Sequence, residues 1–241
     1  TQAETPPSPP QGGRRQEQYN NITIKQYKNI DIFFSPNINF THISPRTKFV
    51  LTIHDLSFVH FPDFFSRKQR WWHAAVGALE QARRAHLIIT PSEHTRRDVI
   101  ETYRIAPEKV RVISPGISPI FFSGGESDEA VRMRYSLPEK FILFLGTIEP
   151  RKNVDGLIRA FLSSRLPRSG YELIAAGWRA GRMDAMGQPK VRYLDYVPAS
   201  DKPALYRLAR VFAYPSFYEG FGFPVLEAFA CGTPVVTSNR S

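Results

Sequence analysis

Two glutamates, Glu219 and Glu227, stand with seven residues between them in "PSFYEGFGFPVLEAFACGTPVV", residues 215–236. Both lie among apolar and glycine residues, where a carboxylate is costly unless something pairs with it. Ionised carboxylates only accept hydrogen bonds, so such a pair suits a ligand rich in hydroxyls. Earlier in the chain, "GTIEPRKN" sets Arg151 beside Lys152. Arginine presents a planar fork of donors and lysine a mobile point charge, a combination that suits a phosphate group. Gly146 lets the chain turn away from the strand before it, which leaves the two cations just ahead of a helix. A solvated charge pair in a loop is the alternative. His54, followed by Asp55, ends the apolar run "KFVLTI". A histidine and an aspartate at a strand end fit the rim of an active site, and they also fit capping positions.

Cations and carboxylates in one place look contradictory until the ligand is a sugar nucleotide. Its diphosphate wants Arg151, Lys152 and the amides of the 221–224 turn, at the start of a helix. Its ribose and hexose hydroxyls want carboxylates, one glutamate for each sugar. Glu219 falls on the loop after an apolar strand. Glu227 falls early in the next helix, where a negative charge is stabilised. The pattern predicts that both border one pocket, with balance of the helix end as the alternative for Glu227. Other chemistries lack their motifs. The six histidines have no metal-ligand spacing, so no metal is expected. No nucleophile elbow, Walker loop or dinucleotide fingerprint occurs.

The elements that must hold these residues alternate between strand and helix. Strands are predicted at Ile30–Ser35, Lys48–Ile53, "AHLIITPS" and "KVRVISPG". Further strands are predicted at Phe141–Leu145, Tyr171–Ala176, Val191–Leu194, Val211–Tyr214 and Pro234–Thr237. Helices are predicted at Arg67–Arg84, after a cap at Ser92, and at Val154–Arg165, Lys202–Ala209 and Pro224–Cys231. Alternation of this kind predicts an α/β protein with parallel sheets covered on both faces. Residues 1–18 are rich in proline, glycine and polar groups and read as a disordered or linker segment. Residues 19–121 read as a first, partial domain, 122–139 as a polar linker, and 140–241 as a second domain. Both sheets are expected to be incomplete, as in a portion of a longer chain.

Composition narrows the partners. The chain has 241 residues and a net charge of +10, spread over both halves. A positive surface attracts nucleoside diphosphates and anionic lipids. Basic strands interleaved with aromatics are missing, so no nucleic acid is expected. The single Cys231 excludes an internal disulfide and fits a reducing compartment. No apolar run is long enough to span a membrane. "FPDFFSRKQRWWH", residues 61–73, sets Trp71 and Trp72 beside Arg67, Lys68 and Arg70. It reads as a surface for anionic lipid, or as two core tryptophans.

Four segments carry a family resemblance: "VLTIHDLSF", "VRVISPGI", "GTIEPRKN" and "YPSFYEGFGFPVLEAFACGTPVVTSN". The chain resembles the retaining glycosyltransferases of family 4, over about residues 28–241, and most of all bacterial mannosyltransferase-like enzymes of polysaccharide assembly. The resemblance implies the GT-B architecture, two Rossmann-like domains with the site in the cleft between them. It implies a hexosyltransferase that moves a hexose from a nucleotide-diphosphate sugar to a saccharide or lipid-linked acceptor. GDP-mannose is the first donor and a UDP-hexose the second. Arg151 and Lys152 match the cations of the donor diphosphate. Glu227 matches the ribose-binding glutamate, and Glu219 the one near the hexose. Phe221, Gly222 and Phe223 match the loop that meets hexose and phosphate. His54 matches a histidine facing the donor sugar. The backbone at Tyr196 and Val197 falls where the base is read. The family implies no metal cofactor, and a cytoplasmic protein, peripheral on the inner membrane face. The alternatives are an incomplete fragment that only binds nucleotide sugar, or a related sugar-nucleotide enzyme such as an epimerase.

Overall fold

A computed structural model describes residues 30–179 and 188–240. The expected linker 1–18, and residues 19–29 of the first domain, lie outside the described residues. Apolar runs of three to five residues build two parallel sheets. The first holds β1 (Ile32–Ser35), β2 (Lys48–Thr52), β3 (Leu87–Thr90) and β4 (Val110–Val112), side by side in chain order. The second holds β5 (Phe141–Leu145), β6 (Glu172–Ala176), β7 (Val191–Leu194), β8 (Val211–Tyr214) and β9 (Val235–Thr237). All five residues of β5 are buried. That is why its sequence is apolar without alternation: a parallel strand covered on both faces has no polar side.

The second sheet runs in the order β7-β6-β5-β8-β9. The order of winding therefore reverses between β5 and β8. Doubly wound sheets open a crevice at such a reversal, outside the carboxyl ends of the strands, and ligands bind there. The loops that leave those two strand ends are 146–152 and 215–222. They contain Arg151, Lys152 and Glu219.

Two expectations are corrected. The helix expected over Arg67–Arg84 is two helices, α1 (Arg67–Val76) and α2 (Ala78–Arg84), broken at Gly77. Gly77 adopts φ 65° and ψ 48°, a left-handed conformation that closes one helix and opens the next. The apolar spacing continues on both sides, so periodicity alone hides the break. The expected linker 122–139 is also structured. It includes a helix, Asp128–Arg134, and Val131 and Leu137 are buried in the core of the second lobe. Arg134 reaches the fully buried Asp201 at 2.6 Å, and the Tyr135 hydroxyl reaches the same carboxylate at 2.8 Å. Its polar residues are thus ion-pairing partners of the second lobe, and Gly124 and Gly125 make it look like a loop.

The expected cap at Ser92 is present. Its hydroxyl accepts from the Thr95 amide at 3.1 Å and starts α3 (Glu93–Tyr103). Ser92, Thr95 and Asp98 follow at intervals of three, which puts them on one helix face. That face meets the loop from β8.

Candidate active site

The site is assembled from two strand ends. After β5, Pro150–Lys152 form a single 3-10 turn, and a helix, Val154–Ser163, follows. After β8, the chain runs out through Ser216 and returns at Gly222, which caps a helix over Phe223–Ala230. The Phe217 amide donates to the Arg151 carbonyl at 2.9 Å and ties the two loops together.

Glu219 lies between the two cations. Its Oε1 accepts from Lys152 Nζ at 2.5 Å and its Oε2 from Arg151 Nη1 at 3.2 Å. Lys152 is only 7% exposed. Its ammonium also donates to the Tyr214 hydroxyl at 2.6 Å. Arg151 Nη2 pairs with Glu149 at 2.8 Å, and Nη1 also donates to the Tyr218 carbonyl at 2.9 Å. Two cations and two carboxylates thus hold one another.

Burial decides their proton affinities. It pulls the Lys152 ammonium below the ordinary lysine value, and Glu219 only partly restores it. Burial also works against the Arg151 charge, but Glu219 and Glu149 outweigh it and hold the guanidinium above its ordinary value. Both groups are pre-placed by their carboxylate partners.

The first lobe closes the other wall. A cleft of about 440 Å³ is bounded by His54 and Pro91 on that side and by Gly146, Arg151, Lys152 and Glu219 on the other. Phe221, Gly222 and Phe223 also line it, as do Glu149 and Tyr214. Pro224 has no N–H, so the expected anion-binding amides of 221–224 reduce to those of Phe221, Gly222 and Phe223. The His54 ring is hydrogen-bonded through Nε2 to the Pro36 carbonyl at 2.9 Å. Asp55 also lines the cleft and accepts from the Ser57 amide at 2.8 Å and from its hydroxyl at 2.5 Å. A smaller recess of about 220 Å³ adjoins the cleft at Glu219, Phe221 and Gly222 and reaches Ser216 and Thr237.

Three expected site residues are not among those lining this cleft. Glu227 accepts from the Tyr206 hydroxyl at 2.8 Å and lines neither the cleft nor the recess. In this arrangement the Glu227 carboxylate faces Tyr206, and only Glu219 borders the cleft. Glu227 sits on the turn of the helix that faces Tyr206, whereas Glu219 precedes the helix. Tyr196 is 76% exposed and Val197 is buried in the second core, both outside the cleft lining. The sequence reading missed Glu149 and Tyr214. Glu149 stands inside "GTIEPRKN", two residues from the arginine it pairs with, and that proximity was the available signal. Among the described residues no group of three or more His, Cys, Asp or Glu is placed to hold a metal ion.

Two family models match this architecture half by half. Glycosyltransferase Family 4 matches residues 5–120, and Glycosyl transferases group 1 matches residues 130–241. The chain belongs to the family 4, group 1 glycosyltransferases. O-antigen chain mannosyltransferase B of Escherichia coli is 35% identical over 227 residues, covering 90% of this chain and 58% of that protein. The serotype-specific mannosyltransferase WbdA, also of Escherichia coli, is 33% identical over 175 residues, covering 67% of this chain and 22% of that protein. The chain therefore spans little more than half of the first relative's length and about a fifth of the second's. HepE of Anabaena, solved in complex with UDP-glucose, has the same fold: the TM-score is 0.64 at 22% identity, over 81% of this chain and 54% of that one. The chain thus has the expected α/β architecture, two parallel-sheet lobes facing one cleft.

Proposed function

We propose that the cleft binds a nucleotide-diphosphate sugar and transfers its hexose, with retention, to a saccharide or lipid-linked acceptor. The observation that carries this is Arg151 and Lys152, held by Glu219 at the winding reversal of the second sheet. The diphosphate engages the spare donors of both cations and the first amides of the Phe223–Ala230 helix. The hexose then lies in the larger cleft, toward His54. The cations and amides steady the charge that develops on the leaving diphosphate.

Retention is proposed on the family resemblance and because, among the described residues lining the cleft, each carboxylate is already engaged and none is placed as a base for inversion. A double displacement needs a carboxylate about 5 Å from the general acid. Among the described residues lining the cleft, Glu219 is held by both cations, Glu149 by Arg151, and Asp55 by Ser57. A same-face route remains, in which the leaving phosphate takes the acceptor's proton while the cations hold it in place. GDP-mannose is the first donor proposed, on the mannosyltransferase relatives, and a UDP-hexose the second, on the neighbour solved with UDP-glucose. A role for Glu227 toward the ribose is proposed too, and it requires the carboxylate to turn from Tyr206.

A donor screen with the full-length protein tests this reading, followed by the anomeric coupling constant of the product. An α-linked product from an α-linked donor is expected. A β-linked product overturns retention. Binding without transfer, or epimerised nucleotide sugar, overturns the transferase assignment.

A further inference from the structure

Tyr218, the residue before Glu219, does not belong to the lobe that carries it. Its side chain is 5% exposed and seated in the first lobe. The hydroxyl donates to Asp98 and accepts from the Leu56 amide at 3.3 Å. The ring meets Phe61 at 5.7 Å and His94 at 5.4 Å between centroids. Asp98 is itself held by His60, at 2.6 Å. Two residues on, the Gly220 carbonyl accepts from Ser92 at 2.6 Å and from Thr95 at 3.1 Å. A Cβ at Gly220 would lie 2.0 Å from the His54 carbonyl oxygen. The loop with the central carboxylate is thus fixed on both sides of Glu219 by the opposite lobe.

We propose that Tyr218 is a positioning residue: seated in the socket of Leu56, Phe61, His94 and Asp98, it sets where Glu219 stands. Glu219 in turn orients Lys152 and Arg151, and the Tyr218 carbonyl binds Arg151 directly. The donor site therefore reaches its working geometry only when the lobes are engaged through this plug. The inference rests on the transferase reading for its effect on turnover, but the docking itself does not.

The test uses Tyr218→Phe, Tyr218→Ala and Asp98→Asn in the full-length protein. Hydrogen exchange of the amides of residues 217–223 reads the docking with no substrate present. Exchange about tenfold faster in Tyr218→Ala is expected, with the global melt retained. In Tyr218→Phe the ring fills the socket, so stability returns toward wild type while kcat stays about fivefold to tenfold down from loss of the hydroxyl's bonds to Asp98 and Leu56. Tyr218→Phe and Asp98→Asn together lose no more kcat than the worse of the two, since the first removes and the second weakens the same Tyr218–Asp98 contact. Unchanged exchange in Tyr218→Ala overturns the docking. Faster exchange with normal kcat, or fully additive losses in the double variant, overturns the positioning role. If the transferase reading were wrong, the wild type would be inert toward every nucleotide sugar while the exchange difference persisted.

Discussion

Lys152 stands at the hydroxyl end of Tyr214, its ammonium 2.6 Å from that oxygen, with Glu219 as counter-charge. Its folded proton affinity is below the ordinary value of 10.5. Between the folded pKa and 10.5 the unfolded chain binds the extra proton, so this group's contribution to stability rises with pH across that window. Diphosphate binding runs the other way. The ammonium is lost as pH climbs, so affinity falls at a lower pH than a free lysine would give. Lys152→Arg keeps its charge and flattens the profile. Calorimetric titrations from neutral pH to 10.5 show this, and identical profiles for the two proteins would exclude Lys152 from the phosphate site. Glu219→Ala leaves two buried cations short of a partner and costs about 3–5 kcal/mol of stability, read from denaturant unfolding. For turnover the glutamates part company. Glu219→Gln lowers kcat more than donor affinity, whereas Glu227→Gln weakens donor binding with kcat little changed. Equal effects on both parameters in both variants would refute that division.

At the level of the element, turns and breaks place these side chains. Gly77→Ala forces a left-handed alanine between α1 and α2 and costs about 1–2 kcal/mol. A melt within error of wild type would mean the break is not held by glycine. Strands were legible because continuous apolar runs leave little choice when both faces are covered. Val211–Tyr214 and Phe141–Leu145 match their expected bounds. The residues on the two loops were legible too, since a cation pair and a glutamate after apolar strands have few structural uses. What the sequence hid is long-range. Tyr218 and Asp98 are 120 positions apart, and nothing local in "FYEG" announces a partner on α3. The three-residue spacing of Ser92, Thr95 and Asp98 showed a polar face without showing what meets it. The Glu227 contact was hidden for a related reason: its spacing from Glu219 does not show that the helix turn carrying it faces Tyr206.

Across the whole molecule, charge and aromatic exposure bear on which surfaces the protein can meet. Among the described residues no helix is long and apolar enough to cross a membrane. On α1, Trp71 is 70% exposed beside the exposed Arg67, Lys68 and Arg70. Trp72 is half-buried against the first core and edge-on to the exposed Phe40 at 6.1 Å. The pair is thus split, with Trp71 on the surface and Trp72 packed at the core's margin. We propose that the Trp71 face rests on anionic lipid at the cytoplasmic side of a membrane, each cation adding about 1 kcal/mol. Flotation at low salt should enrich the protein on anionic over neutral liposomes, and Trp71→Ala should reduce it. Equal recovery on both lipids would remove the membrane contact and leave the cleft untouched. That cleft is tested most directly by titrating GDP and UDP into the full-length protein and its Lys152→Ala variant. The predicted result is binding by the wild type, weakened by about 1–3 kcal/mol in the variant with the fold intact. Equal affinity in the two proteins would contradict a donor site built on Arg151, Lys152 and Glu219.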